Sequence, residues 1–317
     1  MPKFIFTNVI GSFVFDENLR VIEERLFKDA DEYKNKAQHE TQLIQKYKNI
    51  TVPEGKNLHN ILLFFKNKKY FSVFSGKNLE LAKKAIKDSV SNDSLIIQTI
   101  SSIEEIDKTL NLLVKRLREW YSLYNPEASY RISDHEKFAL LVATNSKSQL
   151  LKELKIDEKG SIGAELKDKD ISAINSLASE INSLFNIRKN YENYLSELET
   201  EACPNLKEIL GITLAAKIIE HAGSLKRLME MPASTIQILG AEKALFRHLR
   251  NKRNLPPKHG ILREHQLIQK SKKELHGKAA RALADKSSIA VKIDYFKGKF
   301  IGDKLKKALV DKFKIQY

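Results

Sequence analysis

Three cations recur in one stretch of this chain at spacings that suit phosphate: Lys243, Arg247 and Arg250. Separated by four and three positions, they would share one face of a helix that begins near Ala241. Gly240 stands just before it and permits a sharp bend or a close backbone approach. A helix that starts after such a glycine offers open amides and the positive end of its dipole, which suits anionic oxygen. Leu245, Phe246 and Leu249 fall on another side and are expected in a core. Upstream, Pro232 restricts the entry to a shorter helix that Ser234 or Thr235 could cap, with Ile236, Ile238 and Leu239 apolar enough to be buried. Downstream, Asn251-Lys252-Arg253-Asn254-Leu255-Pro256-Pro257-Lys258-His259-Gly260 reads as a basic loop stiffened by two prolines. Lys258 and His259 sit where such a loop could bond to or stack on a base. Lys278, Arg281 and Lys286 continue the positive face on a later helix.

The charge of the whole chain agrees with that picture. Its 317 residues carry 55 Lys+Arg against 40 Asp+Glu, a net of +15. Of these, 25 basic and 10 acidic residues fall in 205–317, so the entire excess lies there and the first 204 residues are neutral. Clustering of this kind points to a polyanion partner for the last third alone, bound in a salt-sensitive way.

Other chemistries find little support. Cys203 is the only cysteine, so neither an intrachain disulfide nor a thiolate zinc site is expected. His221, His248, His265 and His276 show no ligand spacing with carboxylates or thiols, and no metal or cofactor is expected. No nucleophile–base pair has recognisable local context, so an enzyme is not expected. Ser75-Gly76-Lys77-Asn78 fails as a phosphate loop, which needs a glycine where Phe71 stands and a hydroxyl residue where Asn78 stands. No apolar run approaches the roughly 20 residues that span a bilayer, and Met1-Pro2-Lys3-Phe4 leads directly into a strand pattern. Neither a membrane partner nor a signal peptide is expected.

The elements that must position these groups form an α+β chain in three parts. Residues 1–120 read as a small α/β domain. Phe4–Phe15 forms two strands with a turn or bulge near Gly11, and a helix starts at Asp16-Glu17 with Leu19, Val21, Ile22 and Leu26 on its apolar side. Residues 28–48 form a charged helix, and 69–75 a strand. Asn78 caps a helix through Ile86, 94–100 is strand or helix, and 103–123 is a helix. Rich in Phe and Tyr, this neutral domain offers a plausible protein-docking surface.

Residues 121–202 read as a long antiparallel coiled-coil hairpin. Its arms are two helical stretches, 131–158 and 168–200, that turn at Lys159-Gly160-Ser161-Ile162-Gly163. The second carries a heptad spine of Ile174, Leu177, Ile181, Leu184, Arg188, Tyr191, Leu195 and Leu198, apolar in seven of eight places. A projecting apolar seam seldom stays unpaired, so homodimerisation is assigned to Ile174, Leu177, Ile181, Leu184, Tyr191 and Leu195. Residues 203–317 form a basic, all-α domain.

The run from Pro232 to Phe246, Pro-Ala-Ser-Thr-Ile-Gln-Ile-Leu-Gly-Ala-Glu-Lys-Ala-Leu-Phe, closely resembles the signature of the Nop domain. His221-Ala222-Gly223-Ser224-Leu225, Pro257-Lys258-His259-Gly260 and the segment from Lys278 to Lys286 support it, covering roughly 203–296. Leu117-Arg118-Glu119-Trp120-Tyr121 followed by Asn125-Pro126-Glu127 resembles the junction in archaeal and nucleolar Nop scaffolds, whose domain order is also the same. The resemblance implies a non-catalytic scaffold of a box C/D small ribonucleoprotein. Its Nop domain would bind kink-turn guide RNA together with a small ribosomal-protein-like kink-turn binder. Its coiled coil would dimerise, and its amino-terminal domain would recruit fibrillarin, the 2′-O-methyltransferase, on which alone S-adenosylmethionine is expected. On this chain the RNA ligands would be Gln237, Lys243, Arg247, Arg250, Lys258, His259, Lys278 and Arg281, with Gly240, Ala241 and Glu242 toward the small protein. Alternatives are a splicing-factor-like Nop protein of another particle and, from a different class, an RNA-processing hydrolase. Nucleolar relatives usually carry a long Lys/Glu-rich tail, and a sequence stopping at Tyr317 fits an archaeal, cytoplasmic form or a shortened chain; a eukaryotic form would be nucleolar.

Overall fold

Two polar side chains fold the first sheet. Asn8 turns the chain between β1 (Lys3–Thr7) and β2 (Gly11–Phe15), its side-chain oxygen accepting from the Ile10 amide at 2.9 Å. Asp16 makes the next turn, accepting from the Arg20 amide at 2.7 Å, with Leu19 at φ 59°. The turn delivers β3 (Val21–Leu26) antiparallel to β2. The expected helix from Asp16 is therefore a hairpin, because the backbone of Val21–Leu26 is satisfied by its neighbour in the ladder. Gly11 is required here: a Cβ would lie 2.2 Å from the Arg25 carbonyl oxygen. In the computed structural model, which describes residues 2–47, 49–157 and 160–315, β4 (Ile50–Thr51) joins β1 in parallel and completes the order β3-β2-β1-β4.

Four helices accompany this sheet: α1 (Ala30–Lys34), α2 (Lys36–Lys46), α3 (Gly55–Phe64) and α4 (Lys68–Asp88). The charged helix expected over 28–48 is thus α1 and α2, and its last residue, Lys48, lies outside the described residues. Phe13, Phe15, Ile61, Phe65 and Tyr70 form an aromatic core. The strand expected over 69–75 is the start of α4. Asn67 caps the helix by accepting from the Lys69 amide, and Tyr70 and Phe74, four apart, both reach the aromatic cluster. Asn78, expected as a cap, lies inside α4 and donates to the Phe74 carbonyl at 3.0 Å.

The chain divides after Ser91, whereas the sequence placed the boundary near 120. The reason is α5 (Asn92–Tyr121), which buries Ile96, Ile100 and Ile103 together with residues of the last third. Its partner is α9 (Asp168–Ala202). At 1.5 Å per residue the two are about 45 and 50 Å long. They run antiparallel, with one core at each end of the pair. Leu110, Val114 and Leu117 meet Ile174, Ala178 and Ile181 at one end, and Ile96, Ile100 and Ile103 cluster with Leu195 and Leu198 at the other. Between them Arg188, the polar exception in the heptad, donates to Asp107 at 2.5 Å and pairs with Glu192 at 2.9 Å.

The long helix antiparallel to α9 is therefore α5, and of the expected first arm only the part around Phe138, Ala139 and Val142 packs on α9. The stretch 131–158 is broken into the end of α6 (Pro126–Arg131), then α7 (His135–Thr144) and α8 (Lys147–Glu153). Asp134 caps α7, and Ser146 with Gln149 forms a capping box on α8, so each starts afresh. Lys159 of the expected turn lies outside the described residues. The seam assigned to dimerisation needs a matching correction. Ile174, Ile181 and Leu195 are fully covered by this chain's own helices, Leu177 and Leu184 are half-buried in the same core, and Tyr191 is the exposed member.

Among the described residues, the second unit continues with α10 (Pro204–Leu210), α11 (Ile212–Ala222), α12 (Leu225–Glu230), α13 (Ala233–Ile238), α14 (Glu242–Arg250), a 3-10 turn (Ile261–Glu264), α15 (Gln266–Gln269), α16 (His276–Tyr295) and α17 (Gly302–Phe313). α16 is the central rod, with Ala279, Ala280, Leu283, Ala284 and Val291 buried among α10, α12, α13 and α17. His265 is locked in this core as a neutral ring. Its Nδ1 accepts from the Leu267 amide and its Nε2 donates to the Ile209 carbonyl, while burial pushes its pKa down to about 4. No helix is long and apolar enough to cross a membrane, among the described residues.

Candidate nucleic-acid interface

The elbow between α13 and α14 is held by backbone. Gly240 has φ +80°, the left-handed region that favours glycine, and its open side faces Ile261, whose Cγ1 would lie 3.0 Å from a Cβ. The far end of the basic loop is zipped onto the same elbow. The Gly260 amide donates to Gln237 at 2.9 Å and the Ile261 amide to Leu239 at 2.8 Å. At Gly260 a Cβ would lie 1.8 Å from the Leu239 oxygen, so only glycine fits. The near end is tied to α14: His248 Nδ1 meets the Asn254 carbonyl at 2.5 Å, and Asn254 donates to the Arg247 carbonyl at 3.3 Å. With both ends fixed and Pro256-Pro257 between them, the loop has little freedom left to lose on binding.

The open helix start expected after Gly240 is already occupied. The Gly240 amide donates to Glu242 Oε1 at 2.7 Å, and the Ala241 amide to Ile238 at 2.9 Å. Partial burial pushes the Glu242 carboxyl up, but the amides of Gly240 and Glu242 and the nearby His221 outweigh it and hold the pKa below the usual range. Glu242 is thus a latch on the elbow, with its outer face exposed. Upstream, α13 begins at Pro232 without a side-chain cap, so neither Ser234 nor Thr235 caps it.

On α14 no residue is buried. Lys243, Arg247 and Arg250 are exposed, and none of them is paired with a carboxylate among the described residues. Phe246 and Leu249, expected in the core, are 66% and 55% exposed, and Leu245 is only half-buried. Much of the helix's apolar face is left uncovered by its own chain. An apolar stripe beside unpaired cations on a pinned helix is a surface awaiting a partner.

A cleft beside it gathers four more of the expected ligands. Gln237, Lys258, Lys278 and Arg281 line it together with Pro256, Pro257 and Leu255. Gln237 is partly committed, since its Nε2 donates to the Lys258 carbonyl at 2.6 Å and so fixes the loop. Lys278 and Arg281 project one turn apart from α16. His259 packs near His276, with rings 6.1 Å apart. Burial first, then the neighbours Arg263, His276 and Lys258, hold its pKa below the ordinary value, which favours the uncharged ring. Such a ring can stack or exchange a hydrogen bond without adding charge. Lys312 and Phe313 of α17 line the same cleft, and nothing in their sequence context pointed there. Lys286 is half-buried and farther along α16.

The geometry is that of a rigid, cationic, partly apolar surface, and comparison with known proteins says whose it is. The model of the Nop family, described as "snoRNA binding domain, fibrillarin", matches residues 102–315. The chain belongs to the Nop family.

Among the relatives of this Nop protein, an uncharacterized NOP5 family protein of Methanocaldococcus jannaschii is 48% identical over 241 residues, covering 71% of this chain and 58% of that one. Nucleolar protein 56 of Schizosaccharomyces pombe is 38% identical over 224 residues, covering 65% of this chain and 45% of the relative. Nucleolar protein 58 of Candida albicans is 36% identical over 218 residues, covering 64% and 42%. The chain therefore spans about half the length of the curated relatives it matches. A chain solved in a fibrillarin/Nop5p complex aligns over 98% of each chain, at 22% identity and a TM-score of 0.46.

Proposed function

We propose that this Nop protein is the non-catalytic scaffold of a box C/D ribonucleoprotein, binding guide RNA through its carboxy-terminal module and fibrillarin through its amino-terminal unit. The observation that carries the reading is α14, a helix pinned at both ends that shows unpaired Lys243, Arg247 and Arg250 beside exposed Phe246 and Leu249. Cations alone would suit any polyanion. The apolar stripe next to them suits a composite surface of kink-turn RNA and a small ribosomal-protein-like binder, with Gly240, Ala241 and Glu242 at the protein side. Gln237, Lys258, His259, Lys278 and Arg281 extend the RNA surface into the cleft.

The amino-terminal unit supports protein docking by a different chemistry. Phe6, Leu62, Phe65, Phe71 and Phe74 line an apolar groove, and Phe71 is 57% exposed. Fibrillarin is the partner placed there, and it would bring S-adenosylmethionine and the methyl-transfer chemistry. Self-association through the α5–α9 pair would use its exposed side, where Tyr191 and Tyr194 lie, since the inner seam is filled. The decisive experiment is reconstitution from purified parts. The full chain should bind kink-turn RNA only when the small kink-turn protein is present, retain fibrillarin, and methylate target RNA only with fibrillarin added. Methylation or cleavage of RNA by the chain alone would overturn the scaffold reading.

A further inference from the structure

Away from α14, the turn between α16 and α17 is built unlike an ordinary connection. It reads Tyr295-Phe296-Lys297-Gly298-Lys299-Phe300 and exposes its aromatics: Phe296 is 70% and Phe300 50% exposed. Burying rings of this size is among the strongest stabilising terms open to a fold, so leaving two of them on a tight turn calls for a reason. Looseness is not that reason. The turn closes the helix through the Gly298 amide, which donates to the Ile293 carbonyl at 2.8 Å, with Lys297 held at φ 52°. Its two ends are clamped to one buried pair. Asn205 donates to Asp294 at 2.7 Å at the start of the turn and accepts from the Ile301 amide at 2.7 Å at its end. Phe296 is propped edge-on against Tyr295, with ring centres 5.2 Å apart.

Charge says what such a turn would hold. Lys292, Lys297, Lys299 and Lys304 are exposed around it and unpaired with any carboxylate among the described residues. Asp294 faces inward, where it accepts from the amides of Asn205 and Leu206; Asp303 is exposed beside the turn, and the half-buried Glu208 is paired with Lys306. A protein partner matched to exposed phenylalanines alone would gain nothing from four lysines around them. Flat rings interleaved with cations match a strand whose bases are unstacked and whose backbone is anionic.

We propose that the turn at 295–300 is a second nucleic-acid contact, a platform for single-stranded RNA on which bases stack against Phe296 and Phe300 while Lys297 and Lys299 meet phosphates. It goes beyond the proposed function, which places folded RNA on α14 and its cleft, and it stands whether or not that assignment holds.

The test uses the full chain and a labelled oligouridine of about 12 nucleotides, followed by fluorescence anisotropy at low salt. Phe296→Ala with Phe300→Ala should weaken binding by roughly tenfold or more, since stacking on each ring contributes measurably. Both side chains are exposed, so the fold should survive, as circular dichroism would check. Lys297→Ala with Lys299→Ala should weaken binding too and reduce the slope of log affinity against log salt by roughly 1.4. The same phenylalanine substitutions placed in a Lys243→Glu, Arg247→Glu chain should still weaken the oligouridine, which separates this platform from α14. Wild-type affinity in the phenylalanine variant, or a wild-type chain that does not bind oligouridine, would overturn the proposal. So would a variant that keeps the oligouridine and loses a protein partner.

Discussion

The amino-terminal unit and the carboxy-terminal module expose opposite materials. In the first, β1, β2, α3 and α4 bury an aromatic core and leave an apolar groove around Phe71. In the second, alanines and leucines fill the core, and unpaired lysines, arginines and a few phenylalanines are turned outward. Shape-matched apolar surface favours a protein, whereas cations on rigid backbone favour an anionic polymer. In bulk the difference is one of degree: residues 1–91 carry 16 basic and 11 acidic residues, against 25 and 10 in 205–317. Surfaces this different in chemistry would select different partners.

The contrast breaks most visibly if charge on α14 is reversed. Lys243→Glu with Arg247→Glu should weaken assembly with kink-turn RNA and its small protein by roughly 1000-fold, from about 1–3 kcal/mol per contact, while fibrillarin is retained. Electrophoretic mobility shift and fibrillarin pull-down read the two halves, and unchanged assembly would remove both residues from the interface.

A second prediction concerns what the basic module hides. Glu199 is fully buried near the end of α9, where its carboxyl oxygens have at most a poorly aligned contact with the Ala216 amide. Burial pushes its pKa up to about 8, opposed by the charge of Lys207. Since the folded state holds this proton more tightly than the unfolded one, stability falls as pH rises from about 4.5 to about 8 and stays low above that. Glu199→Gln should flatten this dependence and raise stability at pH 9 by on the order of 3 kcal/mol, measured by urea unfolding across pH. Parallel pH curves for the two proteins would mean the carboxylate is solvated.

From the other side of the comparison, Phe71→Glu should reduce fibrillarin affinity by roughly 30-fold, as for a central apolar anchor, and leave RNA binding intact. Equal fibrillarin capture would move the docking surface elsewhere on the unit. The smallest effect is assigned to Arg281→Ala, about threefold on RNA affinity, because a single exposed cation at the cleft contributes little by itself. A loss as large as that on α14 would shift the centre of the RNA surface into the cleft.

Much of this was legible in the residues, and the errors have physical causes. The run Pro232–Phe246, the charge split and α9 were all read from local pattern. Asp134 and Ser146 with Gln149 carried plain helix-start signals, and reading them would have broken 131–158 into the observed pieces. The aromatic alternation at 69–75 misled because Tyr70 and Phe74 satisfy a helix spacing as well as a strand. The hairpin at Asp16 was hidden because Val21–Leu26 is apolar enough for either state, and only pairing with β2 chose between them. Phe246 and Leu249 looked like core because periodicity shows that a helix has an apolar side, not whether its own chain covers it.

Composition and spacing by themselves determined that the last third is basic and helical, and the run Pro232–Phe246 carried its resemblance to the Nop domain, because charge segregation and a contiguous signature are properties of the linear chain. Tertiary structure decided that α5 is the long antiparallel partner of α9, with α7 packed on the same stretch of α9, that Glu242 latches the elbow before α14, and that Gln237, Lys258, Lys278 and Arg281 share one cleft. Those outcomes depend on which surfaces meet across long separations, and meeting is settled by burial and backbone hydrogen bonds that no local pattern encodes.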